Sequence, residues 1–198
     1  KSKIINTKTS ADKYFLYVGN AYPHKNLDRL VQALNLLCHP DQAKPEKDLD
    51  SSSRQVGSQN DIKLVLVGKD DYFYKRLKEK VKKMHMEKSV LFYGEVSDEE
   101  LFGLYKNAKA FIIPSLMEGF GLPGLEAMAN KCLVIASNIP ALQEVYGDAA
   151  IYFNPYDIND IAKSMENVCF NDLNHFSQKI EKGLERTKLF SWEKMARE

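Results

Sequence analysis

A glycine-rich segment between two glutamates carries the clearest chemical signal in the sequence. Glu118 and Glu126 stand eight positions apart, and three of the chain's ten glycines, Gly119, Gly121 and Gly124, fall between them. Glycine lets backbone N–H groups approach a ligand, and the positive end of a helix dipole attracts anions. The carboxylates can accept hydroxyl protons, such as those of a sugar or ribose. The segment therefore predicts a site for a phosphorylated, hydroxyl-rich ligand, namely a sugar nucleotide.

Six short apolar runs alternate with helical patterns along the chain. The predicted strands are residues 14–18, 62–67, 89–93, 110–113, 132–136 and 149–153. The predicted helices are residues 26–37, 72–84, 97–107, 122–129, a short one from Pro140, 157–170, 172–187 and a segment around Trp192. Strands that are apolar throughout favour an α/β fold with a doubly wound, parallel, six-stranded, Rossmann-like sheet.

Polar and glycine-rich loops follow four of these predicted strands. In doubly wound sheets, ligands bind beyond the carboxyl ends of the strands. The loops in question are residues 19–25, 68–69, 94–96 and 115–121. Because the carboxyl ends of parallel strands share one edge, we expect these loops to form one cleft.

Composition excludes several classes of protein. The chain has 28 basic and 27 acidic residues, so it lacks the charge footprint of a nucleic-acid-binding protein. Three cysteines, Cys38, Cys132 and Cys169, are widely spaced and are interpreted as reduced structural residues of a cytoplasmic chain. The apolar runs are shorter than the roughly 20 residues that a membrane span requires. The lysine-rich stretch 78–83 favours a solvated helix face. The aromatic residues at 72–74 either are exposed beside the binding cleft or pack in the core.

The order of the motifs resembles the C-terminal domain of GT-B glycosyltransferases of family 4, also called group 1. The motifs that carry the resemblance are residues 17–26 (YVGNAYPHKN), 66–69 (LVGK), 93–96 (YGEV), 114–115 (PS), 118–127 (EGFGLPGLEA) and 191–193 (SWE). The glutamate pair with seven residues between is the most specific of them.

This resemblance implies a two-domain enzyme that transfers a sugar from a nucleotide diphosphate to an acceptor. Transfer would retain the anomeric configuration without a metal or other cofactor. If the roles of the family's motif residues apply at the matching positions, Lys25 would neutralise the diphosphate and Glu118 would contact the donor sugar. These two residues are therefore the catalytic candidates. Glu126 would bind the ribose hydroxyls, and Val96 would meet the base through its backbone. Because Glu126 stands among apolar neighbours, we also expect it to need a partner.

The remaining donor-binding candidates act through their backbone. The chain at Gly119, Phe120, Gly121 and Leu122 would lie against the sugar and diphosphate. Gly19 and Gly68 would let the chain approach the ligand closely.

Two positions depart from the family pattern. The family usually has arginine directly after the first strand's glycine, where this chain has Asn20, and we hypothesise that His24 or Lys69 partly replaces the missing charge. After the glutamate helix, the usual glycine is replaced by Lys131, and Asn130 is expected to provide a left-handed helix stop.

The resemblance also sets the expected domain organisation. Residues 14–190 are predicted to form the nucleotide-sugar-binding domain, with a flexible polar insertion at 39–61. Residues 1–13 would be a linker from an N-terminal domain that was excised or is a separate chain, and 191–198 a terminal helix segment. That other domain would contact a glycan or lipid-linked acceptor, and peripheral membrane association of the full-length enzyme is kept open.

The donor is expected to be GDP-mannose, with UDP-sugars next, because the loop around residues 23–26 resembles that of mannosyltransferases of polysaccharide assembly. Two alternatives remain: a sugar-nucleotide epimerase of GT-B-like architecture and a non-catalytic module that binds a nucleotide sugar. A dinucleotide oxidoreductase is disfavoured, since no G-x-G-x-x-G follows the first strand.

Overall fold

The computed structural model describes residues 14–39 and 62–190. The predicted linker at 1–13, the terminal segment at 191–198 and the insertion, apart from His39, lie outside the described residues.

All six predicted strands are present and form one parallel sheet. They are β1 (Tyr14–Val18), β2 (Lys63–Val67), β3 (Val90–Gly94), β4 (Ala110–Ile113), β5 (Val134–Ser137) and β6 (Ala150–Phe153). Their spatial order is β3-β2-β1-β4-β5-β6, with parallel pairing throughout. The expected doubly wound fold is confirmed, and each strand begins and ends within two residues of its predicted bounds.

Seven α-helices connect and cover the strands of the described chain. They are α1 (Leu27–Cys38), α2 (Tyr72–Lys83), α3 (Asp98–Asn107), α4 (Leu122–Ala129), α5 (Pro140–Tyr146), α6 (Ile158–Phe170) and α7 (Ser177–Thr187). A capping box opens α3, since the Ser97 side chain accepts the backbone N–H of Glu100 and the Glu100 side chain accepts that of Ser97.

One predicted helix begins later than expected. Periodicity placed its start at Asp172, but Asp172 instead caps a short 3-10 turn, Leu173–Phe176, by accepting the backbone N–H of Asn174. The α-helix starts only at Ser177. An aspartate side chain that satisfies a nearby N–H favours a turn over a regular helix at that point.

Two apolar clusters sandwich the sheet, because side chains alternate between the faces of a strand. Phe15 and Tyr17 of β1 belong to the cluster that α1, α2 and α6 cover. Leu16 belongs to the cluster on the opposite face, with α3, α4 and α5. Of the two alternatives for the aromatic residues at 72–74, core packing holds for Tyr74, which is buried on the inner face of α2, whereas Tyr72 is exposed.

The turn between α4 and β5 also differs from the prediction. Lys131, and not Asn130, adopts the left-handed conformation, with φ of 57° against −90° for Asn130. The reason is that the Asn130 backbone N–H still bonds the carbonyls of α4, so the chain reverses one residue later.

The structure also describes the three cysteines and the apolar character of the helices. Cys38, Cys132 and Cys169 are buried and form no disulfide, and burial raises the pKa of the Cys132 thiol to about 12. Within the described residues, no helix combines the length and the apolar character needed to cross a bilayer.

Strand order places the neighbouring strands β1 and β4 at the centre of the sheet, where the chain changes direction of winding. Ligands of doubly wound folds bind at this switch point, beyond the carboxyl ends of the strands. The loops after β1 and β4 carry Lys25 and Glu118, so the fold itself brings these two candidates together.

Candidate donor-binding site

The loops after β1, β2 and β3 are tied to one another by their backbones. The N–H of Gly19 donates to the carbonyl of Val67 over 2.9 Å, and the N–H of Gly68 donates to the carbonyl of Gly94 over 3.0 Å. A Cβ at Gly68 would overlap the carbonyl oxygen of Gly19. Gly68 therefore has a structural requirement of its own, which is the close approach of two loops.

Lys25 and Glu118 form an ion pair across the switch point. The Lys25 Nζ lies 2.7 Å from Glu118 Oε1, and the side chains are only 17% and 11% exposed. The Ser115 hydroxyl donates to the same oxygen over 2.7 Å. Two residues that are 93 positions apart thus occupy one partly buried site, whereas sequence reasoning had given them separate contacts.

Asn26 holds the same loops in place, and sequence analysis had not singled it out. Its side-chain Nδ2 donates to the carbonyl of Pro114, over 3.0 Å, and to that of Pro155, over 2.8 Å. The residue is buried and left-handed, with φ of 59°. Asparagine tolerates this conformation better than most residues, and its amide supplies two donors. The amide therefore joins the loops after β1, β4 and β6.

The glycine turn opens α4 as the sequence predicted. Gly121, with φ of 76°, precedes the first helical residue, and no side chain caps the helix. The buried Tyr146 hydroxyl donates to the carbonyl of Gly121 over 2.5 Å. Gly119 and Leu122 are exposed at the edge, while Phe120 is half-buried and packs its ring edge-on against Phe190. The turn is thus open on its outer side and braced from within.

Glu126 lies in α4, but its surroundings differ from the expectation. Leu125, Ala127 and Met128 are buried, yet Glu126 itself is exposed. Successive helix residues point about 100° apart, so apolar neighbours in sequence do not imply burial. The expected partner does exist: the Tyr105 hydroxyl donates to Glu126 Oε2 over 3.1 Å.

The other candidates line the same edge. Val96 is half-buried between β3 and α3, packed against the core. Asn20 is half-buried, and its Oδ1 accepts the backbone N–H of Tyr22 over 3.3 Å. Lys69 is exposed, and the carbonyl of His24 accepts the N–H of Leu116 over 2.7 Å. That His24 or Lys69 replaces a missing arginine stays a prediction.

Across 14–39 and 62–190, no three His, Cys, Asp or Glu side chains lie close enough together to hold a metal ion. Whether the reaction needs a metal stays a prediction from the resemblance.

Comparison with known proteins decides the family. The model of the group 1 glycosyl transferases matches residues 1–183. The chain belongs to this family.

Relatives of this group 1 glycosyl transferase include enzymes named as mannosyltransferases. O-antigen chain mannosyltransferase RfbU of Salmonella typhimurium is 33% identical over 85% of this chain and 41% of its own length. O-antigen chain mannosyltransferase B of Escherichia coli is 33% identical over 91% of this chain and 42% of its own length. The chain therefore spans about two fifths of the length of these two relatives.

The solved structures agree on the fold. Sucrose-phosphate synthase of Thermosynechococcus elongatus superposes with a TM-score of 0.76 at 26% identity, over 94% of this chain and 43% of that protein. The neighbours are GT-B glycosyltransferases, which confirms the expected GT-B architecture.

The packing of the buried Tyr146 below the glycine turn leads to a stability prediction. A Cβ at Gly124 would overlap the hydroxyl and ring of Tyr146, which is fully buried. Because overpacking costs typically about 1–3 kcal/mol, we expect Gly124→Ala to lower Tm by about 2–4 °C per kcal/mol. Thermal denaturation measures the shift.

The matched control is Gly103→Ala in α3, where a Cβ would meet no atom within 4 Å. This variant should keep or raise Tm, since alanine is the better helix former. Equal Tm values for the two variants would contradict the close packing of Tyr146 against Gly124.

Proposed function

We propose that this chain is the donor-binding half of a retaining mannosyltransferase that uses GDP-mannose. The observation that carries the proposal is the Lys25–Glu118 pair at the switch point, directly beside the open start of α4. The mannosyltransferase names of the relatives support the choice of sugar. UDP-sugars are the next candidates.

The arrangement suits departure of a nucleoside diphosphate. Breaking the bond to the sugar leaves negative charge on two phosphates, and fixed positive groups stabilise such charge best in a partly water-excluded site. Lys25 and the N-terminal N–H groups of α4 are the positive groups available at the switch point. Glu118 would accept hydroxyls of the sugar, which is bonded to the same diphosphate and must therefore lie next to it.

The ion pair also sets a cost for donor binding. In the structure, Glu118 neutralises Lys25, so a diphosphate must draw the ammonium group away from its carboxylate partner. Ser115 would keep Glu118 in place while this occurs, because its hydroxyl donates to Oε1 independently of Lys25. The lysine is then released to the phosphates, and the carboxylate is released to the sugar.

Two alternatives call for different assays. An epimerase would change the sugar nucleotide without an acceptor, whereas a binding module would leave it intact. The partly buried cation beside an open helix start favours transfer, since a developing diphosphate leaving group needs positive charge there.

The choice of nucleotide leads to a binding prediction. We expect GDP and GDP-mannose to raise the Tm of this chain more than UDP, ADP and their sugars do. A ligand at 100 times its Kd adds about 2.7 kcal/mol of stability. Thermal denaturation with each compound measures the shift. Larger shifts with UDP-sugars would move the assignment to that donor, and no shift with any nucleotide would contradict the proposed function.

The same preparation should not transfer sugar alone, because the acceptor contacts are proposed to lie in another domain. Turnover of GDP-mannose by this chain with an added glycan acceptor would contradict that division of labour.

The ion pair leads to a second binding prediction, in which substitutions of Lys25 and of Glu118 have different effects on the affinities for GDP and GDP-mannose. Lys25→Gln should weaken binding of both GDP and GDP-mannose by about 10- to 100-fold, since hydrogen bonds to charged groups contribute about 1.5–3 kcal/mol. Glu118→Gln removes the competing charge but retains the shape. It should therefore weaken GDP-mannose and leave GDP binding equal or tighter. Isothermal titration calorimetry measures all four affinities.

Lys106→Gln is the matched control, since Lys106 is exposed in the last turn of α3. It should bind both ligands as the wild type does. If Glu118→Gln weakens GDP and GDP-mannose equally, Glu118 does not contact the sugar.

We propose further that α2 binds the anionic surface of a membrane. The helix holds six basic residues and one acidic residue, so it carries +5, while the rest of the chain, with 22 basic and 26 acidic residues, carries −4. Clusters of four to eight Lys or Arg on an amphipathic helix are typical of contact with anionic lipids. Tyr72, at the start of α2, is 66% exposed and offers an interfacial aromatic ring.

A groove beside α2 supports the proposal that this helix binds a membrane. It has a volume of about 610 Å³, lies between α1 and α2, and is lined by Tyr22, Phe73, Arg76, Lys80 and Lys83, among others. The loops 19–25, 68–69, 94–96 and 115–121 together form the proposed donor-binding edge of the sheet, called the donor edge below. Tyr22 precedes Lys25 in the loop after β1, so a bilayer on α2 would lie alongside this edge. This placement would suit an acceptor anchored in lipid.

The α2 surface leads to a vesicle-binding prediction. Arg76→Gln with Lys83→Gln should weaken binding to phosphatidylglycerol vesicles by roughly 30-fold, since each basic residue near an anionic surface contributes about 1 kcal/mol. Cosedimentation measures the affinity, and phosphatidylcholine vesicles should not bind. The control is Lys106→Gln with Lys163→Gln, which removes the same charge from exposed positions on α3 and α6. Equal losses in both variants, or equal binding to both lipids, would contradict the proposal.

A further inference from the structure

Buried tyrosine hydroxyls lie below the donor edge, and one of them reaches a candidate binding group directly. Tyr105 of α3 is 1% exposed, and its hydroxyl donates to Glu126 Oε2 over 3.1 Å. The same hydroxyl lies 3.3 Å from the carbonyl oxygen of Pro123, in the first turn of α4. The ring is held edge-on against Phe111 of β4, with the centroids 5.8 Å apart. The position of the hydroxyl is therefore fixed by the core.

In this hydrogen bond, Tyr105 is the donor and Glu126 is the acceptor. Burial, followed by the charge of Glu126, raises the pKa of the Tyr105 hydroxyl. The group stays protonated at all ordinary pH values and so acts as the donor. Among the described residues, Oε2 of Glu126 has this donor and Oε1 has none, which leaves the exposed carboxylate fixed at one oxygen and accessible at the other.

A fixed carboxylate binds a diol better than a mobile one. A glutamate side chain on a helix surface samples several rotamers, and immobilising it on binding lowers affinity. A vicinal diol presents two hydroxyl donors to a carboxylate, and both can be accepted only in a limited range of orientations. A buried donor that restricts the carboxylate before the ligand arrives removes part of this cost.

We propose that Tyr105 is a positioning residue, which holds Glu126 for the ribose diol and thereby gives the site its preference for ribonucleotides over 2′-deoxyribonucleotides. This inference rests on the proposed function, in which Glu126 binds the ribose. Tyr105 acts through Glu126 and does not itself touch the ligand, because it is buried beneath α4.

The test compares one nucleotide in two forms. The probe is the nucleoside diphosphate among GDP, UDP and ADP that raises Tm most, together with its 2′-deoxy form. Isothermal titration calorimetry on the wild type should show the ribonucleotide binding about 10- to 100-fold tighter, the range for a hydrogen bond to a charged group. In Tyr105→Phe, affinity for the ribonucleotide should fall roughly 3- to 10-fold while that for the deoxy form changes less, so the ratio shrinks.

Tyr14→Phe is the matched control for loss of a buried hydroxyl. The Tyr14 hydroxyl donates to the carbonyl of Leu104, next to Tyr105, over 2.7 Å. Tyr14 itself lies at the amino end of β1, whereas the donor edge lies beyond the carboxyl ends of the strands. This variant should keep the wild-type ratio even if its Tm falls. An equal shrinkage of the ratio in both variants would mean a general structural effect and would overturn the proposal.

A double-mutant cycle gives an independent measurement. Glu126→Ala should abolish the preference for ribose, and Tyr105→Phe added to it should have no further effect on the ratio. A wild-type ratio retained in Tyr105→Phe, or a wild type that binds the nucleotide without preferring ribose, overturns the inference and leaves nucleotide binding standing. If the wild type binds no nucleotide at all, the proposed function fails and the inference fails with it.

Discussion

A single buried amide fixes the geometry on which the donor edge depends. Asn26 donates to the carbonyls of Pro114 and Pro155, so one side chain joins the loops that follow β1, β4 and β6. Its oxygen accepts Arg29 Nη1 over 2.9 Å, which completes its hydrogen bonding. Parallel strands end separately at a sheet edge, and few backbone bonds join their loops, among them the bond from the Leu116 N–H to the His24 carbonyl. Without this amide, that bond and the Lys25–Glu118 ion pair would remain between the loops after β1 and β4, but the amide's bond to the loop after β6 would be lost.

The apolar core extends this support to the other loops through tyrosine hydroxyls. Tyr17, Tyr74, Tyr105 and Tyr146 are among the largest fully buried side chains. The hydroxyls of Tyr17, Tyr74 and Tyr146 donate to loop carbonyls at the donor edge, and that of Tyr105 donates to the Glu126 carboxylate in α4. A tyrosine places a large apolar ring in the core and a polar tip at its boundary. The core therefore determines where loop atoms lie, and the donor edge does not depend on loop sequence alone.

The two opposite charges at the site are paired with each other. Lys25 and Glu118 neutralise each other, so neither charge is left unpaired in a partly buried position, where it would destabilise the fold. The same pairing means that the groups proposed for donor binding are held ready, close together and partly shielded from water. In the proposed function, stability and binding would use one contact, which the donor would exchange for two new ones.

The element order, the apolar strands, the glycine start of α4 and the presence of four site loops at one edge could all be predicted from the amino-acid sequence. These follow from local periodicity, from turn residues and from the shared direction of parallel strands. Contacts between distant side chains could not be read in this way. The pairing of Lys25 with Glu118, the reach of Asn26 to Pro155 and the donor that Tyr105 offers to Glu126 depend on which strands are neighbours and on which side of a helix a residue points. Only the tertiary structure decides these, because packing of the two sheet faces selects one strand order and one set of helix rotations.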